Sequence, residues 1–175
     1  MSGHNKWSQI KHQKAKTDAQ KSKTFSKYAR LITVESKKAK GNRDSPGLRA
    51  MIEKARAENM PNENIERAIK KATDNSAVME TITYEAYGPG GCAMIIEALT
   101  DNRNKAAQEI KFILSKHGFT LASIGAASWA FSKEGIVWKP TTTIPLGESD
   151  LDLLEKLVNE LEENDEVQEV FTNAE

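Results

Sequence analysis

The sequence predicts an α+β protein in two parts. An N-terminal basic three-helix domain, residues 1–75, is followed by an acidic ferredoxin-like βαββαβ domain with an extra leading strand, residues 80–175. Three observations carry this reading. Apolar residues recur at spacings of three and four as far as Ala72, then alternate after Met79, a change from helical to strand period. From Cys92 onward the elements read β-α-β-β-α-β, the split unit of ferredoxin-like domains. The charge divides at the same place: 25 basic side chains balance 25 acidic ones overall, yet residues 1–75 carry a net +10 and residues 76–175 a net −10.

Residues 1–16 are polar apart from Trp7 and Ile10, and read as an extended or loosely helical arm. From about Thr17 to Lys40 the pattern is helical, with Phe25, Tyr28, Ala29, Ile32, Ser36 and Ala39 on one face. Lys23, Lys27, Arg30, Lys37 and Lys38 fall opposite, with Val34 among them. Gly41-Asn42 ends this helix, and Ser45-Pro46 opens the next. That helix aligns Leu48, Met51, Ile52, Ala55 and Asn59, and Pro61 starts another with Ile65, Ala68, Ile69 and Ala72 inward. Residues 74–79 read as a linker.

Thr81–Tyr87 alternates, Gly88-Pro89-Gly90-Gly91 turns, and Cys92–Leu99 is apolar enough for a central strand. A helix follows from Arg103 to His117, stopped by Gly118, with Ala106, Ile110, Ile113 and Leu114 inward. Ser128–Phe131 and Gly135–Trp138 read as short strands. Ser149 with Asp152 resembles a capping box for an acidic helix, and Glu166–Thr172 is the last strand.

Charge directs the functional reading. Met1 to Arg43 holds twelve basic residues against Asp18 and Glu35, the electrostatic footprint of a polyanion binder. The candidate contacts are His4, Lys6, Trp7, Lys11, Lys14, Lys16, Lys21, Lys23, Lys27 and Arg30. Trp7 and His4 stand as base-reaching groups on the arm, and the lysines as phosphate contacts. Arg103 and Lys105 form a second candidate, because cations in the first turn of a helix oppose its dipole. Either they hold a phosphate with the helix N–H groups, or Asp101 neutralises Arg103 locally. The pair Leu48–Asn59 and Pro61–Ala72 has the outline of a helix-turn-helix, but its turn lacks glycine and simple bundle packing is the favoured reading.

Other chemistries find little support. His4 and His12 have no neighbouring cysteine for a metal, and the glycine-rich turn lacks the Lys-Ser/Thr of a phosphate loop. Cys92 sits in an apolar run, as a core residue would. No catalytic motif or cofactor is implied. A single cysteine and no long apolar run point to a cytoplasmic chain without a membrane partner.

Four blocks in order resemble one family: Ser2-Gly-His-Asn-Lys-Trp-Ser-Gln-Ile-Lys-His, Asn59-Met-Pro-Asn-Glu-Asn-Ile-Glu-Arg-Ala-Ile-Lys-Lys, Tyr84-Glu-Ala-Tyr-Gly-Pro-Gly-Gly and Leu99-Thr-Asp-Asn-Arg-Asn. These resemble the YebC/PmpR family of probable transcriptional regulators, which includes the mitochondrial translational activator of cytochrome oxidase. The resemblance implies a non-enzymatic regulator of gene expression. It leaves three partners open: DNA at a promoter, ribosomal RNA on the ribosome, or a basic protein met by the acidic helix. Family members carry a further α/β domain inserted in the second part. Here Gly135-Ile-Val-Trp-Lys-Pro runs almost directly into Thr143-Ile-Pro, so that insertion, near 139–143, is expected to be absent.

Overall fold

The computed structural model describes residues 5–13, 16–72 and 78–175, and for His12 and Gln13 the backbone alone. The chain forms two compact units: one spans Lys16–Met79, the other joins the N-terminal segment to Glu80–Glu175.

The first unit is a bundle of α2 (Asp18–Lys38), α3 (Pro46–Ala57) and α4 (Asn62–Lys71). Thr17 opens α2 with a full capping box, its hydroxyl accepting from the Gln20 N–H while the Gln20 side chain accepts from the Thr17 N–H. The helix closes on Lys40 and Gly41, both at positive φ, with the Gly41 N–H reaching the Ser36 carbonyl. The second helix closes the same way. Asn59 takes φ 64, its N–H donates to the Arg56 carbonyl, and the Met60 N–H donates to Ala55. Asparagine thus supplies the left-handed turn whose glycine the sequence lacks, since its short polar side chain tolerates that region. Met60 is then buried with Ile32, Leu48, Met51, Ile52, Ala55, Ile65, Ala68 and Ile69. Thr33 and Ser36 of α2 donate to the Ala68 and Ile69 carbonyls, satisfying the open C-terminal end of α4.

The second unit contains α1 (Lys6–Gln13), β1 (Glu80–Tyr87), β2 (Ala93–Thr100), α5 (Arg103–Lys116), β3 (Leu121–Ala122), β4 (Phe131–Glu134), β5 (Val137–Pro140), α6 (Glu148–Glu163) and β6 (Val167–Thr172). Its main sheet is antiparallel in the order β3-β1-β2-β6. The β1–β2 turn is Gly88–Gly91, as the sequence suggests. Gly90 sits there at φ 67, where a Cβ would fall 2.4 Å from Leu146 Cδ2.

The fold is α+β, but the strand pairing departs from the ferredoxin-like unit. Segments near 128–131 and 135–138 form a separate two-stranded sheet, β4–β5, rather than two strands of the main one. Phe131 is the one buried residue of those two strands, too little apolar surface for a sandwiched strand. The edge beside β1 goes instead to the two-residue β3, too short to show a period. The hairpin covers one sheet face through Ala93, Ile95, Ala127, Ala130 and Phe131. Helices α5 and α6 cover the other through Met94, Ile96, Ile110, Leu114, Leu154 and Leu157. Cover on both faces is why β2 is buried throughout and reads as an apolar run interrupted only by Glu97 before its closing Thr100. The α6 helix begins at Glu148 after Gly147, without the side-chain cap expected from Ser149.

Candidate nucleic-acid interface

The basic face of α2 follows from helical spacing. Lys23, Lys27 and Arg30 lie opposite Phe25, Ala29, Ile32 and Ser36, which pack into the bundle. Along the axis they span about 10 Å, a length over which a DNA duplex carries roughly six phosphates. Lys21 and Lys23 are exposed, while Lys27 and Arg30 are half-buried. Lys16, just before the helix, pairs with Glu58 at 3.0 Å and touches the Thr24 hydroxyl. The one acid on the last turns of α2, Glu35, is engaged by Lys38 at 3.0 Å. The structure therefore brings Lys16, Lys21, Lys23, Lys27 and Arg30 together on one helix and its lead-in.

Alpha-helix α4 does not complete a helix-turn-helix reader. Such readers present the N-terminal end of the second helix to base edges. Here that end carries Glu63 and Glu66, and Glu66 holds the Arg43 guanidinium in a two-pronged pair. The hydrogen bond and charge of Arg43 keep the Glu66 carboxyl below its usual range.

The N-terminal candidates fall elsewhere. His4 and Lys14 lie outside the described residues. Lys6, Trp7 and Lys11 form α1, capped by the Asn5 side chain accepting from the Ser8 N–H at 2.7 Å. This segment takes the helical form of the two that the sequence allowed, and it packs on the α+β unit instead of standing free as an arm. Trp7 is 7% exposed and belongs to the core with Leu151 and Leu154. Its ring is not presented for stacking, because burying an indole gains more than leaving it in water. Lys11 lies 6.0 Å from the Trp7 ring and pairs with Glu162 of α6 at 2.7 Å.

At the start of α5, Asn102 caps the helix by accepting from the Lys105 N–H at 3.1 Å. Arg103 pairs with Glu80 at 3.5 Å rather than with Asp101, and Lys105 pairs with the buried Glu166 at 3.3 Å. Glu166 comes from the approach to β6, a partner that no local spacing reveals.

Two further carboxylates, Glu85 and Glu97, are buried on the strands. Glu85 accepts from the N–H groups of Gly125 (2.6 Å), Ala127 (2.9 Å) and Ser128 (2.6 Å). Burial pushes its carboxyl up, but these donors outweigh that and hold it below the usual range. Glu97 accepts from the Thr83 hydroxyl and, at 3.1 Å, from the Trp138 indole. Both fasten the hairpin side of the molecule to the sheet. A strand residue preceding or following apolar neighbours on a sheet covered twice is the available signal, and it is faint.

Cys92 is fully buried, and desolvation pushes its thiol up to about 11, a core residue rather than a nucleophile. Among the described residues no cluster of His, Cys, Asp and Glu could hold a metal, and no helix is long and apolar enough to cross a membrane.

The chain is thus a basic helical bundle joined to an acidic α+β unit. Residues 5–75 match the model for the TACO1/YebC protein N-terminal domain, and residues 79–138 and 133–174 match that for the TACO1/YebC second and third domain. The chain belongs to the TACO1/YebC family. A "Probable transcriptional regulatory protein" of Fervidobacterium nodosum is 38% identical over 235 residues, covering 99% of this chain and 93% of the relative. One from Thermotoga petrophila is 50% identical over 143 residues, covering 80% of this chain and 56% of the relative, so that match spans little more than half its length. The crystal structure of a conserved hypothetical protein, Aq1575 from Aquifex aeolicus, superposes with a TM-score of 0.82 at 33% identity, covering 97% of this chain and 96% of that one. The two curated relatives are both named probable transcriptional regulatory proteins, which supports a regulator at the level of the family.

Proposed function

We propose that this protein is a cytoplasmic, non-enzymatic regulator of gene expression that binds nucleic acid through the α2 face, with DNA as the leading partner, in keeping with relatives named probable transcriptional regulatory proteins. The observation that carries the reading is the row Lys23, Lys27 and Arg30 on a helix whose other side is locked into a core. Lys16 and Lys21 extend it, and Arg103 and Lys105 are secondary contacts on the α+β unit. Lys6 and Lys11 of α1, with His4 and Lys14 beyond the described residues, belong to the same proposed set. Contacts of this type position a protein on a backbone without reading sequence.

The lack of a base-reading end on α4 favours a second reading, ribosomal RNA recognised by shape and phosphate. Domain limits of 1–75 and 80–175 remain part of the proposal. An alignment running over 235 residues against a chain of 175 supports the absence of the family's inserted domain after β5. Crosslinking in cells followed by sequencing of the bound nucleic acid separates the partners. Enrichment of promoter DNA is expected, and ribosomal RNA in its place would overturn the DNA reading in favour of the second.

A further inference from the structure

A second row of cations stands across a groove from the α2 row. Thr33 of α2 donates to the Ala68 carbonyl of α4 at 3.0 Å, and Ser36 donates to the Ile69 carbonyl at 3.4 Å. These bonds fix which sides of the two helices meet. On α2, Arg30 and Lys37 stand three residues before and four after Thr33, so they share its strip of the helix. On α4, Asn64 and Lys71 stand four before and three after Ala68, and Arg67 falls between them at spacings of three and four. The groove where α2 and α4 meet therefore has cations on both banks. Arg30 and Lys37 are half-buried along one, and Arg67 and Lys71 are exposed along the other.

Local needs do not account for the α4 bank. Lysines late in a helix answer its dipole, but Arg67 lies before the last turn. The Thr33 and Ser36 hydroxyls already satisfy carbonyls at that end. Acids do not take these cations up either. Glu66 is held by Arg43, and among the described residues neither Arg67 nor Lys71 is paired with an acid. Arg30 to Lys37 spans about 10 Å of α2, over which one strand of a duplex carries roughly three phosphates. A phosphodiester chain presents oxygens to either side, so a groove with two basic banks holds it where a single row only touches it. We infer that Arg67 and Lys71, with Asn64 beside them, form the second bank of a groove that seats one phosphodiester strand of duplex DNA. This rests on the α2 reading above and extends it to α4, whose later half would grip backbone although its N-terminal end reads no bases.

The test uses the full chain and a DNA duplex, comparing wild type with the double variant Arg67→Gln, Lys71→Gln. A control, Arg49→Gln with Arg56→Gln, removes the same charge from exposed positions of α3. Circular dichroism melts establish folding, and the single variants Arg67→Gln and Lys71→Gln carry the comparison should the double variant fail to fold. The α4 variant should bind roughly tenfold or more weakly at about 0.1 M salt, with a flatter salt dependence. The α3 control should stay within about twofold of wild type, because charges off the contact are screened. Wild-type affinity in the α4 variant overturns this inference alone, provided that reversing Lys23, Lys27 and Arg30 still weakens binding. Equal losses in the α3 and α4 variants also overturn it, since net charge rather than the groove would then set affinity. A wild-type chain that binds no duplex overturns the α2 reading as well.

Discussion

Replacing Lys23, Lys27 and Arg30 together with glutamate lowers affinity for duplex DNA by on the order of a hundredfold or more at about 0.1 M salt. Three attractions become three repulsions along about 10 Å of one helix. The fold should survive, because the three side chains lie opposite Phe25, Ala29, Ile32 and Ser36, which hold α2 in the bundle. Fluorescence anisotropy measures the affinity, and circular dichroism with a thermal melt checks the bundle. Unchanged binding by a folded triple variant would reduce this face to solvated surface. The nucleic acid would then be held elsewhere.

The second large effect concerns stability. Glu85→Ala removes the acceptor of three backbone N–H groups, of the exposed Gly125, the buried Ala127 and the half-buried Ser128. Donors left without partners cost about 2–4 kcal/mol in total, after allowing for water reaching the exposed loop. A chemical-denaturation curve reads this as a lower midpoint. The acid limb gives an independent check. The folded carboxyl lies below its usual range, so its contribution is complete above the unfolded pKa of about 4.3 and is lost as pH falls through the folded value. Glu85→Gln should therefore flatten the fall in stability between neutral and acid pH. A variant that loses stability as steeply as wild type would mean other carboxylates govern acid unfolding.

These two effects differ in how readable they are. The α2 face is local: one helical period places Lys23, Lys27 and Arg30 opposite Ile32, and Thr17 and Gln20 mark the start within four residues. The bundle was legible for the same reason, down to the break at Pro61, although Asn59 standing in for glycine was not. In the α+β unit the central strand could be read from Cys92–Leu99, but its partners could not. Glu85 meets its loop 40 residues away and Lys105 meets Glu166, contacts fixed by sheet order rather than spacing. The two residues of β3 are shorter than any period. Trp7 shows the converse error: an isolated aromatic in a polar segment reads as exposed, because the core that receives it, Leu151 and Leu154, is far along the chain. Trp129 is exposed instead, and its place depends on Tyr87 and the Glu85-bound loop.

The salt dependence of duplex binding tests the phosphate-gripping role of α2 most directly. With Lys16, Lys21, Lys23, Lys27 and Arg30 engaged, log affinity against log salt should fall with a slope of about −4.5 for the wild-type chain. The charge-reversed variant should flatten it. A slope near zero with affinity retained would contradict phosphate binding by this helix.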